Sequence, residues 1–294
     1  MADAAHGAGL AKKGGGRPDG YALFFRLPMV FWQLAFFIGP LVFMIAMSFF
    51  LVKNYRMVEA FEFANWAKML GRGYFWDSFL LTLGMATLST LVVTALAFPA
   101  SYALAFKVSP TVRRWAIFFL IVPFFTSYLV RTFSWYVILA ESGVINAILG
   151  FIGLGPYIML NTKFGTIVGY MTLTLPLVVI LQTLSLAHVD RSLIEAAHNL
   201  GCGRLRTVFT VIVPLAKVGL IIGAVFCFIL SFGDFVSPYY LGGSKPPTLP
   251  ILIIDTTKSG QQWPRAAVVA IMMMITLLTV AFTAIALAYR RRVK

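Results

Sequence analysis

Two charged residues lie well away from the ends of long apolar stretches of the sequence, where a charge is energetically costly. Arg131 and Asp234 each lie within a run long enough to cross a bilayer. A charge at mid-membrane costs about 2.5–3.5 kcal/mol on insertion scales, so each requires a partner or a pathway. The Asp234 carboxylate could attract an ammonium group. It could equally form an internal ion pair or accept hydrogen bonds from nearby backbone, and the sequence leaves both interpretations open.

Aromatic side chains in the third apolar run form a second candidate set. Tyr128, Trp135 and Tyr136 are spaced along it, and aromatic faces attract organic ammonium groups. Trp and Tyr also collect at membrane interfaces without any ligand, so packing is the alternative role. Glu141 follows in a Glu-Ser-Gly turn. Its carboxylate either faces the same pathway or caps a helix that begins near Val144.

No stretch of the sequence has a pattern typical of catalysis, nucleotide binding or metal binding. The phosphate-binding motif G-x-x-x-x-G-K-[ST] is absent from the sequence. The histidines and cysteines have no spacing typical of metal ligands; they are His6, His188, His198, Cys202 and Cys227. We therefore expect no catalytic residue, metal site or cofactor in this chain, and no enzyme activity of its own.

The composition indicates which elements must position these side chains. Of the 294 residues, 60% are hydrophobic and only 12% charged, which is typical of an integral membrane protein. A hydrocarbon core of about 30 Å needs about 20 apolar residues in a helix, and helices satisfy their own backbone in lipid. The sequence predicts an all-α protein with six membrane spans within residues 27–289. The predicted spans are 27–52, 79–106, 115–140, 164–184, 216–239 and 266–289.

Loop charge predicts the orientation of these spans. Lys and Arg are more frequent in the tail before residue 27, in the loops 107–114 and 185–215, and after residue 289. The positive-inside rule places these segments, including both termini, in the cytoplasm. The net charge of +14 is then explained by topology and anionic membrane lipid rather than by nucleic acid. We expect residues 1–26 to be a disordered tail and 290–294 a short second tail.

The predicted cytoplasmic loop 185–215 is unusually polar for this chain. Apolar residues recur in it at helical spacing, in two sets: Leu193, Ala196, Ala197 and Leu200, then Leu205, Val208, Phe209 and Ile212. Glycine between them, at Gly201, suits the left-handed turn that ends a helix. The pattern predicts a helix, a sharp turn and a second helix that ends near Pro214.

The same loop resembles a motif of a known family. Glu195, Ala196 and Ala197, then Gly201, then Val211-Ile212-Val213-Pro214 match the spacing of the EAA loop, EAA-x3-G-x9-I-x-L-P. This loop is found in the membrane subunits of binding-protein-dependent ABC importers. Valine replaces isoleucine at 211 and leucine at 213, which keeps both positions apolar. The resemblance implies the type I importer permease fold and a coupling helix that docks on an ATPase subunit, with Glu195, Ala196, Ala197, Gly201 and Pro214 as its key residues.

Other stretches resemble a narrower group, the permeases of spermidine/putrescine importers. They are residues 122–149 (VPFFTSYLVRTFSWYVILAESGVINAIL), 231–243 (SFGDFVSPYYLGG) and 261–270 (QQWPRAAVVA). This resemblance implies alternating-access import of a polyamine or other organic cation across a bacterial-type inner membrane. It further implies two ATPase copies that bind ATP and Mg, a second and different permease chain, and a periplasmic or lipid-anchored solute-binding protein. The outer loops 53–78, 141–163 and 240–265 would receive that binding protein.

Alternatives to this function remain at the sequence level. Ser192 and Glu195 also fit a capping box, in which Glu195 only steadies the start of the helix. Arg204 and Arg206 could simply face anionic lipid. The importer could carry a substrate other than a polyamine. An ion-gradient-driven secondary transporter is the alternative from another class, although buried carboxylates and inverted repeats typical of such carriers are not evident.

Overall fold

The computed structural model describes residues 20–289, with side chains from residue 26 onward. Residues 1–19 of the predicted N-terminal tail and the predicted tail 290–294 lie outside the described residues. Residues 20–26 were predicted as part of the disordered tail, but they are helical. The apolar stretch that follows Gly20 has no helix-breaking residue before Pro28, so the helix begins earlier than hydropathy alone suggests.

The chain divides into two compact units, and the first ends at Met47. Its described part is α1 (Gly20–Gln33), a π-helical turn (Leu34–Ile38) and α2 (Gly39–Met47). The Gly39 N–H donates to the Leu34 carbonyl, five residues back. Pro40, the next residue, has no N–H, and the wider π-helical turn accommodates it. Arg26–Met47 is long and apolar enough to span a membrane.

The second unit begins at Ser48 and consists of helices with one small antiparallel hairpin. The hairpin pairs β1 (Leu51–Lys53) with β2 (Arg56–Val58). The helices are α3 (Ala64–Leu70), α4 (Gly73–Phe106), α5 (Pro110–Ile121), α6 (Tyr128–Leu139), α7 (Val144–Phe151), α8 (Lys163–Ala187), α9 (Arg191–Asn199), α10 (Arg204–Thr207), α11 (Val213–Gly233), α12 (Val236–Tyr240), α13 (Leu249–Lys258) and α14 (Trp263–Tyr289). A 3₁₀ turn (Val122–Phe125) follows α5, and a π-helical turn (Val208–Ile212) joins α10 to α11.

Three long helices, α4, α8 and α11, pack against one another and form the centre of the second unit. Val93, Val178 and Cys227 are fully buried where the three meet. A second apolar cluster joins α4 and α11 to α13 and α14, and a third lies at the end of the bundle where α8 leads into α9. Because these helices bury their apolar residues against one another, they hold the segments at both ends in fixed places.

The prediction of a helical membrane protein with six spans is confirmed for residues 20–289. Six helical stretches there are long and apolar enough to cross a bilayer; they are Arg26–Met47, Gly73–Phe106, Tyr128–Phe151, Lys163–Ala187, Arg204–Gly233 and Trp263–Tyr289. Several bounds differ from those predicted. The first helix ends at Met47 instead of residue 52, because Leu51 and Val52 pair with Val58 and Met57 in the hairpin.

The third predicted span, 115–140, is wrong as a single helix. The chain leaves α5 through the 3₁₀ turn and is extended at Thr126 before α6 begins at Tyr128. Pro123 begins this break because it has no N–H to continue the helix, and the Thr126 hydroxyl donates to its carbonyl at 2.8 Å. Hydropathy did not detect the break because the residues around it are apolar.

The fifth predicted span, 216–239, is also displaced. The helix ends at Gly233, where Asp234 turns the backbone into an extended conformation. At the other end, α10, the π-helical turn and α11 form one stretch from Arg204 to Gly233. The predicted loop 185–215 therefore contains the first turns of this span.

Candidate functional site

The segment that contains the EAA-like residues begins with a capped helix. The Asp190 carboxylate accepts a hydrogen bond from the Ser192 N–H at 2.9 Å and so caps α9. This backbone hydrogen bond holds the pKa of Asp190 below its usual range. The predicted capping box is therefore wrong, because Asp190, not Ser192, is the N-cap and Glu195 makes no hydrogen bond back to it among the described residues.

Gly201 ends α9 in the conformation that its sequence position predicts. Its φ is +81°, in the left-handed region that favours glycine. The Gly201 N–H donates to the His198 carbonyl at 2.9 Å, and the Cys202 N–H donates to the Ala197 carbonyl at 3.0 Å. This pair of bonds is a Schellman motif, which satisfies the last carbonyls of the helix and redirects the chain.

The two faces of α9 have different surroundings. Ala197 is buried and Ile194 packs on the cluster that contains Ala105, Leu186 and Ile212. The other face carries exposed Ala196 and Glu195, followed by Leu200, whose side chain is 85% exposed. We call the exposed residues Leu193, Glu195, Ala196, Leu200, Leu205 and Phe209 the loop face. The predicted apolar sets are thus divided between the core and this face.

Glu195 lies at the edge of a shallow groove between α9 and the end of α4. Tyr102 and Phe106 of α4, and Lys107 directly after it, line the groove together with Arg191 and His198 of α9. Within the part of the chain that the structure describes, the Glu195 carboxylate has no hydrogen bond or ion pair. A charged side chain beside exposed apolar residues is typical of a surface that binds another protein.

Pro214 does not end a helix, contrary to the prediction. The Val213 N–H reaches the Val208 carbonyl, five residues back, so the π-helical turn carries the helix past the proline. Pro214 occupies the first turn of α11, where a missing N–H is tolerated. The segment after Gly203 is therefore one continuous helix from Arg204 to Gly233, roughly 45 Å long at 1.5 Å per residue.

Directly after the last residue of this helix, Asp234 is buried, with 7% of its surface exposed. Its carboxylate accepts hydrogen bonds from the N–H groups of Val236 (2.8 Å) and Ser237 (3.2 Å) and from the Tyr128 hydroxyl (2.5 Å). No cationic side chain forms an ion pair with it among residues 26–289. The backbone hydrogen bonds that were the alternative role of Asp234 are therefore present.

Tyr128, the first residue of α6, connects that helix to the segment that follows α11. Its hydroxyl is also hydrogen-bonded to that of Ser237. Arg131, one turn later on α6, stacks its guanidinium 5.8 Å from the Tyr128 ring centre and donates to the Thr172 carbonyl at 3.3 Å. We call Tyr128, Arg131, Tyr170, Asp234 and Ser237 the outer cluster.

Two members of the outer cluster were missed by sequence reasoning. Tyr170 is fully buried in α8, interacts electrostatically with Asp234, and its hydroxyl has no hydrogen-bond partner within the described chain. Ser237 is pressed against α8 because Gly169 leaves room for it; a Cβ at Gly169 would lie 2.5 Å from the Ser237 Cβ. The spacing of Asp234 and Ser237, which resembles a cap, was the available signal for Ser237.

The remaining pathway candidates do not join the outer cluster. Trp135 is half-buried on α6, Tyr136 is exposed, and neither shares a hydrogen bond or ring contact with Asp234 among the described residues. Glu141 is exposed in the turn after α6. It is not the N-cap of α7, because Gly143 occupies that position without a side-chain hydrogen bond.

Comparison with known proteins identifies a family and relatives that this chain resembles in sequence. The model of the family described as binding-protein-dependent transport system inner membrane component matches residues 97–294. The spermidine/putrescine transport system permease protein PotB of Escherichia coli K12 is 29% identical over 252 residues, covering 85% of this chain and 91% of the relative. The Haemophilus influenzae protein of that name is 27% identical over 247 residues, covering 82% and 84%.

A solved structure shares the fold. A chain from the crystal structure of a bacterial ABC transporter involved in the import of the acidic polysaccharide alginate superposes with a TM-score of 0.73. The two chains are 18% identical, and the superposition covers 94% of this chain and 97% of the other. At that identity the likeness establishes the helical architecture alone.

Proposed function

The chain belongs to the family of binding-protein-dependent transport system inner membrane components, and from this membership we propose how its parts serve import. It is a multi-pass inner-membrane permease subunit of a binding-protein-dependent importer. In our proposal it carries a polyamine or a similar organic cation by alternating access. The observation that carries the proposal is the continuous helix that links the loop face to the outer cluster.

The loop face is the surface on which an ATPase subunit docks. Leu200, Leu205 and Phe209 are exposed there, and each offers apolar area that water disfavours. Glu195 lies among them without a partner in the described chain, available to a cationic residue of the ATPase. ATP and Mg bind to the two ATPase copies, since this sequence has no phosphate-binding motif.

The helix from Arg204 to Gly233 transmits ATPase movement to the substrate path. A π-helical turn keeps it hydrogen-bonded through Pro214, so it can move as one rod. Displacement of the loop face on ATP binding would shift Asp234 relative to Tyr128 of α6. Movement of packed helices past one another is a common form of such transitions.

The outer cluster provides the cation contact. Asp234 is a buried carboxylate without a cationic partner among the described residues, an arrangement that is costly unless a ligand or a hydrogen-bond network compensates it. An ammonium group can replace the Tyr128 hydroxyl as donor to Asp234 and lie against aromatic rings. The names of the relatives, which are spermidine/putrescine permeases, favour a polyamine as that cation.

The remaining assembly follows from the same proposal. A second permease chain, different from this one, completes the path, and a periplasmic or lipid-anchored solute-binding protein delivers the cargo to the outer loops. A solved neighbour is in complex with an alginate pentasaccharide-bound periplasmic protein, which supports a partner of this kind. The excess of Lys and Arg on the loop-face side supports a cytoplasmic location of both termini.

ATPase activity of the assembled importer in lipid nanodiscs tests the proposal. With its binding protein present, spermidine or putrescine should stimulate hydrolysis, whereas amino acids and sugars should not. Glu195→Ala and Gly201→Pro should abolish stimulation, and Gly203→Ala, at an ordinary extended φ of −65°, should preserve it. Stimulation by another class of solute would reject the substrate, and full stimulation in the loop variants would reject the docking role.

A further inference from the structure

A cavity of about 120 Å³ lies at the outer-cluster end of the bundle, partly within the outer loops 141–163 and 240–265. Residues of α4, the start of α8 and the segment between α12 and α13 form its wall. They are Leu81, Met85, Asn161, Lys163, Thr166, Pro238, Gly242, Ser244, Lys245, Pro246 and Thr248. Two lysines and several hydroxyl or amide groups line it, and no carboxylate does.

Two helix N-termini converge on this cavity. Lys163 and Thr166 lie in the first turn of α8, a helix of 25 residues, and Thr248 is the N-cap of α13, which has 10 residues. Helix N-termini carry partial positive charge, which favours anions. The cavity is therefore electropositive from both the lysine side chains and the backbone.

Thr248 supplies an independent sign of a missing ligand. Its side chain is 3% exposed, and its Oγ1 has no hydrogen-bond partner among the described residues. The hydroxyl makes no capping hydrogen bond to α13, and the Leu249 N–H donates to Thr82 Oγ1 at 2.9 Å. A buried hydroxyl without a partner costs stability, so a group that accepts its hydrogen bond would remove that cost.

The wall of the cavity is held in place before any ligand arrives. The Asn161 N–H donates to the Leu241 carbonyl at 2.8 Å, which ties the loop before α8 to the loop after α12. A Cβ at Gly243 would lie 2.8 Å from the Asn161 Cβ, so the two loops are in close contact. Such preorganisation lowers the entropy lost on binding.

The depth of the cavity indicates the source of the anion. Helix α4 has 34 residues, about 51 Å, and exceeds a hydrocarbon core of about 30 Å. If the excess is divided between both sides, Leu81, about 12 Å from the first residue, lies close to the boundary between headgroups and hydrocarbon, and Met85 lies about 6 Å deeper. A phosphate near this boundary lies at the depth of a lipid headgroup.

We propose that this cavity binds a phosphate-type oxyanion, supplied by the headgroup of an anionic phospholipid of the outer-facing leaflet. Lys163 and Lys245 provide the charge, and the Thr248 hydroxyl donates to a phosphate oxygen. The cationic lining would repel a polyamine, so the site is separate from the path through Asp234.

Native mass spectrometry of the assembled importer, exchanged into detergent with either phosphatidylglycerol or phosphatidylcholine, tests this site. The wild type should retain phosphatidylglycerol. The double variant Lys163→Gln/Lys245→Gln should bind it at least about tenfold more weakly. The control Lys68→Gln/Lys258→Gln removes two exposed lysines outside the cavity and should bind as the wild type does. Equal retention by the two double variants would overturn the proposal.

Two further arms separate the source of the anion from effects on folding. Inorganic phosphate alone should raise the thermal unfolding temperature of the complex only if the site accepts free phosphate; that result would keep the site and reject the lipid as its source. Thr248→Val fills the same volume without a hydroxyl and should weaken phosphatidylglycerol retention while the unfolding temperature without lipid is unchanged or higher. Unaltered retention in Thr248→Val would contradict the assigned hydrogen bond.

Discussion

The loop face and the outer cluster differ in how their groups are satisfied. At the loop face, apolar side chains and the Glu195 carboxylate are exposed and lack partners in the described chain. In the outer cluster, Asp234 is buried and accepts three hydrogen bonds. In our proposal an ATPase subunit completes the first region, whereas the Asp234 carboxylate in the second already has its hydrogen bonds within this chain.

This difference separates two kinds of functional residue. An exposed apolar surface is costly for one chain alone, and in our proposal an ATPase subunit covers it. A buried and hydrogen-bonded carboxylate is stable alone, so a substrate must compete with the groups that already satisfy it. Substitutions at the loop face should therefore affect assembly, and substitutions in the outer cluster should affect turnover with assembly intact.

Gly201→Val should have the largest effect on the loop face. A β-branched residue at φ +81° is strained by about 1–2 kcal/mol or more, which favours loss of the Schellman turn that orients α9. We expect stimulated ATPase activity of the reconstituted importer to fall more than tenfold. Gly203→Ala, whose φ is negative, is the matched control and should stay within twofold of the wild type. Similar losses in both variants would mean that the conformation of Gly201 is not the cause.

Asp234→Asn should reduce turnover about tenfold and leave assembly unchanged. The amide keeps the size of the carboxylate, but it removes the negative charge that attracts an ammonium group. Stimulated ATPase activity and the amount of copurified ATPase are measured together, with Asp255→Asn, an exposed carboxylate on α13, as the control. Loss of the copurified ATPase would break the separation between the two regions, and unchanged turnover would remove Asp234 from the substrate path.

Leu200→Ser should weaken docking severalfold without unfolding the permease. The side chain is 85% exposed, so the change removes little apolar contact within this chain and much of what a partner could bury. The dissociation constant of the ATPase for the permease in nanodiscs is the measurement. Leu154→Ser changes an exposed leucine outside the loop face and should leave that constant unaltered. Equal affinities for the two variants would show that Leu200 does not lie in the interface.

Substitution of Asp190 should have the smallest effect of these changes, and the stability that its helix cap contributes should depend on pH in a defined way. Because its pKa is lowered in the folded chain, the cap contributes stability above the unfolded pKa of about 4 and loses it as the pH falls through the folded value. Coupling should therefore not change between pH 6 and 8. In hydrogen-exchange measurements, Asp190→Ala should speed amide exchange at Ser192, and Asp190→Asn, also a good cap, should not. Equal exchange in all three proteins would contradict the cap.

The loop was largely predictable because its signals are local. The Gly201 turn and its helix follow from nearby residues, and the structure has both. The cap was misassigned because Asp190 and Ser192 are both good N-cap residues two positions apart. The supposed stop at Pro214 was wrong because the sequence gives no sign that a π-helical turn precedes the proline.

The outer cluster was only half predictable because its contacts join distant segments. Tyr128 and Asp234 were separate candidates, 106 positions apart, and nothing local indicated that they would share a hydrogen bond. Tyr170 reads as an ordinary core aromatic in an apolar helix. The break before Tyr128 was missed because hydropathy measures composition, whereas the break depends on Pro123 and the extended backbone at Thr126.

Photo-crosslinking from the loop face tests the central claim most directly. The photoreactive residue p-benzoylphenylalanine replaces Leu200 in one full-length permease and Leu154 in another, and each is irradiated in membranes with the complete importer. We expect an adduct between permease and ATPase from position 200 and none from position 154. Adducts from position 200 that contain only lipid, or an ATPase adduct from position 154, would contradict it.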